Sequence, residues 1–181
     1  MRLRSDQLKK FADQAGVGVE ALAEAVRPLG LPGDKADKAV RNWLAGRPRP
    51  TCKAEHIRAL ARVVNAEPRD LARFVSQVRF HRGSTQKARL VADLIRGRGV
   101  DEALNLLTFS QKRASVNVAK ALNAAIADAE LADADVTELY VAESRVDEGP
   151  QIKRFRPKDR GRAHPIIKQT SHITIGVQER A

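Results

Sequence analysis

Gln151–Thr170 reads QIKRFRPKDRGRAHPIIKQT. Within it stand seven cations, Lys153, Arg154, Arg156, Lys158, Arg160, Arg162 and Lys168, and one acid, Asp159. Its net charge is +6, in a chain whose net charge is +11. The middle, RPKDRGRA, has turn composition, and Gly161 supplies the positive φ that a tight tip requires. A segment this polar cannot be core, yet both its ends run into strand-like sequence that can bury. The pattern predicts an extended β-hairpin over about 151–170 that projects from the body and takes a polyanion as its partner. At about 3.3 Å per residue, legs of roughly ten residues reach about 30 Å.

The flanks set the body that carries this arm. Upstream, VTELYVAESRVDE (136–148) reads as a strand, punctuated by Gly149-Pro150. Downstream, Ile173, Ile175 and Val177 alternate with His172, Thr174 and Gly176, which predicts a strand with one buried face. Another strand starts at Val75, in VSQVRFHRG. Between these strands lie three helical patterns. The first runs from Gln86 to Arg96, capped by Ser84 or Thr85, with Val91, Leu94 and Ile95 inward. The second runs from Val100 to Leu107, burying Val100, Ala103, Leu104 and Leu107. The third runs from Ser110 to Leu131 on a stripe of Val118, Leu122, Ala125, Ile126 and Ala129. Its acidic end, Asp128, Glu130, Asp133 and Asp135, is expected in solvent. The class is α+β: three helices on a small antiparallel sheet, with a long protruding hairpin.

Residues 1–74 read differently, as a separate all-α unit of five short helices. Ser5 is placed to cap the first, whose apolar positions are Leu8, Phe11 and Ala12, and Gly16 and Gly18 end it. Val19–Val26 follows, with Leu22, Ala23 and Val26 on one face. RPLGLPGD breaks the helix. Asp34 is placed to cap a helix to Leu44 that buries Ala36, Val40, Trp43 and Leu44. The fourth spans about Lys53 to Val64 on Ile57, Leu60, Ala61 and Val64, and the fifth Pro68 to Phe74. This part carries 15 cations and 9 acids, and residues 75–181 carry 18 and 13. Without the arm the second part holds 11 and 12, so the chain has two separate basic regions.

A pI near 10.4 points to nucleic acid or an anionic surface. No apolar run approaches the roughly 20 residues of a spanning helix, so no membrane partner is expected. The start, MRLRSDQLKKF, lacks the apolar centre of a secretory signal, and the single Cys52 fits a reducing cytoplasm. One cysteine and four histidines without ligand spacing give no metal site. His172, Asp147 and Glu148 have no nucleophile or base at a supporting spacing, and no Gly-Lys-Ser/Thr phosphate loop occurs. The chain is read as no enzyme, with no cofactor and no small-molecule substrate. Asp147 and Glu148 are expected to pair with arm cations or cap the turn. Cys52 is expected to pack beside the fourth helix, and Trp43 in the helical core.

Two resemblances follow. VGVEALAEAV, AVRNWLAGRPRP and HIRALARVVNAEPRDL, with the spacing of Trp43, Gly46 and Pro50, resemble the Cro and lambda-repressor-like helix-turn-helix family. That likeness implies a recognition helix at Asp34–Leu44. Candidate nucleic-acid contacts there are Lys35, Lys38, Arg41, Asn42, Arg47 and Arg49. RPLGLPGD is longer than the family's tight turn, and contact with RNA backbone, protein or DNA, or service as a spacer, stays open for this unit. From about Val75 to Glu179, QKARLVADLIRGRGVDEALNLLTFS, ALNAAIADAE and VDEGPQIKRFRPKDRGRAHPIIKQTSHITI resemble the universal large-subunit ribosomal protein L22 family.

This second resemblance implies a structural ribosomal protein, located on the cytoplasmic ribosome. Its implied partners are large-subunit ribosomal RNA, neighbouring large-subunit proteins, and the nascent polypeptide at the exit-tunnel wall. The implied tunnel tip is Arg156, Pro157, Lys158, Asp159, Arg160, Gly161, Arg162 and Ala163, flanked by Lys153, Arg154 and Phe155, with Lys168 on the returning leg. Body contacts to RNA are implied for Arg79, His81, Arg82, Ser84, Gln86, Lys87, Arg96 and Arg98. Thr170, Ser171 and His172 are implied at the hairpin base. The family's position near the macrolide site also implies an influence of the tip on such antibiotics. Three departures bear on detail: His164-Pro165 predicts a bulge or bend, Gln169 removes a cation, and Gly176 interrupts a β-branched run. Phe155 has two readings, a stacking platform for an unpaired base or a brace for the hairpin.

Overall fold

The computed structural model describes residues 1–180. They form two compact units, Met1–Phe74 with Asp128–Ala134, and Val75–Ala127 with Asp135–Arg180.

The first unit holds β1 (Arg2–Leu3), α1 (Ser5–Ala15), α2 (Val19–Val26), α3 (Asp34–Leu44), α4 (Ala54–Val63) and α5 (Pro68–Leu71). Its core is Leu8, Leu22, Val26, Val40, Trp43, Ile57, Leu60, Leu71 and Phe74, all buried. Each fully buried side chain of this size contributes about 1.5–3 kcal/mol. Trp43 buries its ring and donates Nε1–H to the Pro50 carbonyl at 2.6 Å, so its polar atom is satisfied. His56 is buried against the Trp43 ring, centroids 5.4 Å apart. Its Nδ1 accepts from the Lys53 amide (3.2 Å), which leaves Nε2–H to donate to the Leu29 carbonyl (3.3 Å). One imidazole thus ties the start of α4 to the segment after α2. Burial pushes the Cys52 thiol up to about 12, so it stays protonated and unreactive.

Several expectations need correction in this unit. Ser5 and Asp34 are first helical residues, and the cap positions belong to Arg4 and Gly33. Asp34 there still complements the positive helix end. The fifth helix stops at Leu71, because Ala72 is extended and opens β2 (Ala72–Arg82). Phe74 is buried from a strand rather than a helix. The unit is also not all-α: Arg2 pairs with Arg73 and Leu3 with Ala72.

The second unit is built on strand order β2-β6-β3, with β3 at Leu139–Glu148 and β6 at Thr170–Glu179. Helices α6 (Thr85–Ile95), α7 (Val100–Phe109) and α8, which starts at Ala114 and runs to Glu130, accompany the sheet. Ser110 through Arg113 therefore precede α8 instead of opening it, and Val136–Glu138 is a 3-10 turn ahead of β3. The inner stripe of α8 is buried as patterned. In α6, Ala88 and Ala92 join Val91 and Ile95 in the core, whereas Leu94 is 39% exposed. Helix α6 is fastened to β3 by Arg96 Nη2 to the Ser144 carbonyl (2.6 Å), Ser144 Oγ to the Ala92 carbonyl (2.8 Å) and Arg89 Nε to the Val146 carbonyl (3.2 Å).

Strand β6 has a hydrogen-bonded neighbour on each edge and is buried on both faces. Ile173, Ile175 and Val177 are buried on one face, and Thr174, Gly176 and Gln178 on the other, contrary to a one-faced strand. It pairs antiparallel with β3 from Leu139↔Glu179 to Glu148↔Ser171. The register shifts once, between Val141 and Glu143, opposite Gly176. The bulge of this sheet therefore sits at Ala142 and not on the arm.

The arm is a separate two-stranded ribbon, β4 (Ile152–Pro157) with β5 (Ala163–Lys168). Six-residue legs span about 20 Å, shorter than the composition suggested. Pairing is unbroken from Ile152↔Lys168 to Pro157↔Ala163, and His164-Pro165 causes no bulge. Both strands of such a ribbon are edges, so the missing Pro165 N–H can face solvent without loss of a ladder bond. At its base, Gly149 N–H donates to the Thr170 carbonyl (2.9 Å), and Thr170 Oγ1 donates to the Pro150 carbonyl (2.7 Å). A Cβ on Gly149 would lie 2.5 Å from Thr170 Oγ1 and 3.2 Å from its carbonyl carbon. Gly149→Ala is therefore expected to destabilise the second unit by about 1–3 kcal/mol. Replacing residues 153–167 by an Asn-Gly turn should change stability by less than about 1 kcal/mol, since the arm buries almost nothing. Chemical denaturation followed by circular dichroism checks both, and loss of folding without the arm contradicts its independence.

Candidate nucleic-acid interface

Directly paired residues of an antiparallel ribbon share a face. One face of the arm therefore carries Ile152 with Lys168, Arg154 with Ile166 and Arg156 with His164. The other carries Lys153 with Ile167, Phe155 with Pro165, and Pro157 with Ala163. The first is cationic. The second is mostly apolar, and Phe155 is 76% exposed on it. Phe155 thus stands across from Pro165 while keeping most of its ring surface open. The tip turns through Arg160 (φ 55°) and Gly161 (φ 68°), closed by Lys158 N–H to the Arg162 carbonyl at 2.7 Å. Every residue of β5 and of the tip is exposed. Asp147 pairs with Arg145 (Nε–Oδ2 3.1 Å), so it does not hold an arm cation as expected.

At the base, the three hydroxyl and imidazole residues are turned into the protein. Thr170 is engaged with Pro150, Ser171 is fully buried, and His172 Nδ1 accepts the Phe80 amide at 3.1 Å. Thr170 and Ser171 therefore offer no accessible hydroxyl in this conformation. Phe80 holds φ at 56°, sparsely allowed for a bulky residue, and its ring meets His172 edge-on at 5.0 Å. Arg96 and Arg98 are also engaged internally, Arg96 with Asp93 and Ser144, Arg98 with Glu102 and the Leu94 carbonyl.

The remaining body candidates converge. A cleft of about 610 Å³ is lined by His81, Arg82, Ser84 and Lys87 together with Leu90, Lys112 and Arg113. A smaller hollow of about 330 Å³ shares Arg82, Gly83 and Ser84 with it and adds Ile152, Ile167, Lys168 and Thr170. Cations thus line one course from the cleft to the root of the arm. Arg79 and Gln86 are exposed and lie outside both hollows, Arg79 with its Nε on Gln77 Oε1 (3.1 Å). The pattern reading missed Lys112, Arg113 and Leu90. The adjacent pair Lys112-Arg113, between two helices, was the available signal.

His81 forms part of the cleft wall rather than its cationic rim. It is 9% exposed, and its Nδ1 accepts from Asn117 Nδ2 at 2.7 Å. That bond leaves the proton on Nε2. Burial, and then the Arg113 charge, holds its pKa below the ordinary 6.5. Gly83 is needed beside it, since a Cβ there would lie 2.6 Å from His81 Nε2. With the folded value below the unfolded one, the stabilisation from neutral His81 is complete above about pH 6.5. It falls as pH drops below that, because the unfolded chain then takes the proton more readily. Titration by NMR should find His81 neutral, with Nε2 protonated, below pH 6.5; a midpoint above 6.5 contradicts the packing described.

In the first unit Lys35, Lys38, Arg41, Arg47 and Arg49 are exposed. Asn42 is not free to read a base, because its Nδ2 donates to the Arg49 carbonyl at 3.0 Å. Among the described residues no cluster of three or more His, Cys, Asp or Glu is arranged to hold a metal ion, and no helix is long and apolar enough to cross a membrane.

The family model for ribosomal protein L22p/L17e matches residues 76–178, more than half of the chain. The match takes in the whole arm, the cleft and the β3–β6 ladder up to Gln178, and leaves the five short helices outside it. The chain therefore belongs to the ribosomal protein L22p/L17e family, structural rRNA-binding components of the large ribosomal subunit.

Proposed function

We propose that the arm threads between segments of large-subunit RNA and that its tip, Arg156 to Ala163, borders the exit tunnel and meets the nascent polypeptide. The observation that carries this reading is a fully exposed ribbon with one cationic and one apolar face. In water alone such a ribbon has nothing to pack on. Against RNA, the Arg154 and Arg156 guanidiniums take phosphates, with counterion release driving association. The opposite face, with Phe155 and Pro165, stacks on unpaired bases. The cleft of Arg82, Lys87, Lys112 and Arg113 clamps a second RNA segment at the arm's root. The Arg96 and Arg98 guanidiniums mainly hold α6, and their contribution to RNA is secondary.

Macrolide sensitivity follows the tip only if it borders the tunnel, so it serves as a readout of placement. Catalysis has no part in this reading; the residues act by position and charge.

Filter binding of the full chain to large-subunit RNA across a salt series tests the cations of the arm. Converting Lys153, Arg154 and Arg156 to Gln should lower the slope of log K against log salt by about 2–3. An unchanged slope would remove the arm from the RNA interface. Phe155→Ala should weaken binding by about 1–3 kcal/mol with the slope unchanged, the signature of stacking rather than charge.

A further inference from the structure

Residues 1–75 lie outside the family match, yet the first unit has a basic surface of its own. From Lys38 to Lys53 the chain carries five cations, Lys38, Arg41, Arg47, Arg49 and Lys53, and no acid. All five are exposed, and none has a carboxylate partner among the described residues. The flanking acids in sequence are Asp37, in the first turn of α3, and Glu55, in the first turn of α4, and Asp37 approaches Arg27 (3.9 Å). Charge on α3 is uneven: Asp34, Lys35 and Asp37 at its start sum to −1, and from Lys38 onward it carries cations alone.

The loop that follows α3 is held in place. Trp43 Nε1 donates to the Pro50 carbonyl (2.6 Å), Asn42 Nδ2 to the Arg49 carbonyl (3.0 Å), and Arg47 N–H to the Asn42 carbonyl (2.8 Å). Gly46 makes the turn at φ 74°. Trp43 itself is core, so the loop is tied to the packed interior. Such a loop presents Arg47 and Arg49 with little ordering left to do on binding.

This charge distribution separates two kinds of recognition. A groove-reading helix places its N-terminal residues on base edges. Here those residues include two carboxylates, which phosphate-lined grooves repel. The α2-to-α3 connection is a 3-10 turn, Arg27–Leu29, plus Gly30 through Gly33, in place of a 3–4-residue turn. What remains is a backbone-binding surface.

We propose that the second half of α3 and the loop to Lys53 form an RNA-phosphate-binding surface, independent of sequence, through which the first unit grips a ribosomal RNA segment of its own. Phosphate is the anion that the family domain brings close. The surface does not depend on the tunnel placement of the arm, and the two stand or fall separately.

The test uses the full chain carrying Gln at Lys153, Arg154 and Arg156, so that arm binding is weakened first. Its binding to a short RNA duplex of arbitrary sequence is measured across a salt series. Adding Gln at the five cations should lower the remaining slope by about 3–5. Exchanging Lys for Arg and Arg for Lys at the same five positions should keep it. Circular dichroism melts of both variants should match the parent. An unchanged slope in the five-Gln chain overturns the proposal. So does a preference for one duplex sequence by a factor of about a thousand, which marks specific readout. So does normal RNA binding accompanied by loss of a neighbouring ribosomal protein from assembled subunits. Failure of the arm variants alone, with the five-Gln effect intact, would strike the arm reading and leave this one standing.

Discussion

The ladder between β6 and β3 holds both ends of the arm, and the second unit depends on it. It runs from Leu139↔Glu179 to Glu148↔Ser171, and the arm departs just past its last pair. Strand β6 is hydrogen-bonded to β2 on its other edge, and its polar positions as well as its apolar ones go into the interior. Ser171 and Thr174 are buried there for positional reasons that side-chain chemistry alone would disfavour. Close packing at Gly149 then fixes where the arm leaves the sheet, since no larger residue fits against Thr170.

From that fixed root the arm meets an opposite physical situation. A lone two-stranded ribbon is marginally stable in water. This one also concentrates like charges, which repel one another until counterions or phosphates neutralise them. The sequence keeps it extended through pairing and keeps it from aggregating through Lys, Arg and edge prolines. A rigid base with an unsupported, cationic extension suits a protein that is completed by its RNA. The first unit solves a different problem with the same charges: Arg47 and Arg49 ride on a loop pinned to a tryptophan in the core.

Legibility of the fold followed locality. Helix α2 was readable to its ends, because Leu22, Ala23 and Val26 sit at helical spacing between glycine and proline punctuation. The arm was readable because charge, turn composition and flanking strands agreed. Phe74 was misread because Leu71, Ala72 and Phe74 fit a short helix as well as the start of a strand, and only pairing with Arg2–Leu3 decides between them. Leu94 was misread because α6 is packed on one side only. At the interface, exposed cations were visible in sequence, but the inward turn of Ser171 and His172 was not. Burial of Ser171 and the bond from the Phe80 amide to His172 depend on parts of the chain far from β6 in sequence, which no local pattern encodes. Lys112 and Arg113 join the cleft from a part of the chain distant from Arg82, and a reading by segments does not bring them together.

Hydrogen exchange of the backbone amides of β4 and β5, in the free chain and bound to large-subunit RNA, separates an arm ordered by RNA from one ordered on its own. Rapid exchange is expected across Ile152–Lys168 in the free chain, while β3 and β6 are protected, with strong protection of the arm once RNA binds. An arm already as protected as β6 without RNA, or one that gains no protection with it, would contradict the view that RNA completes this structure.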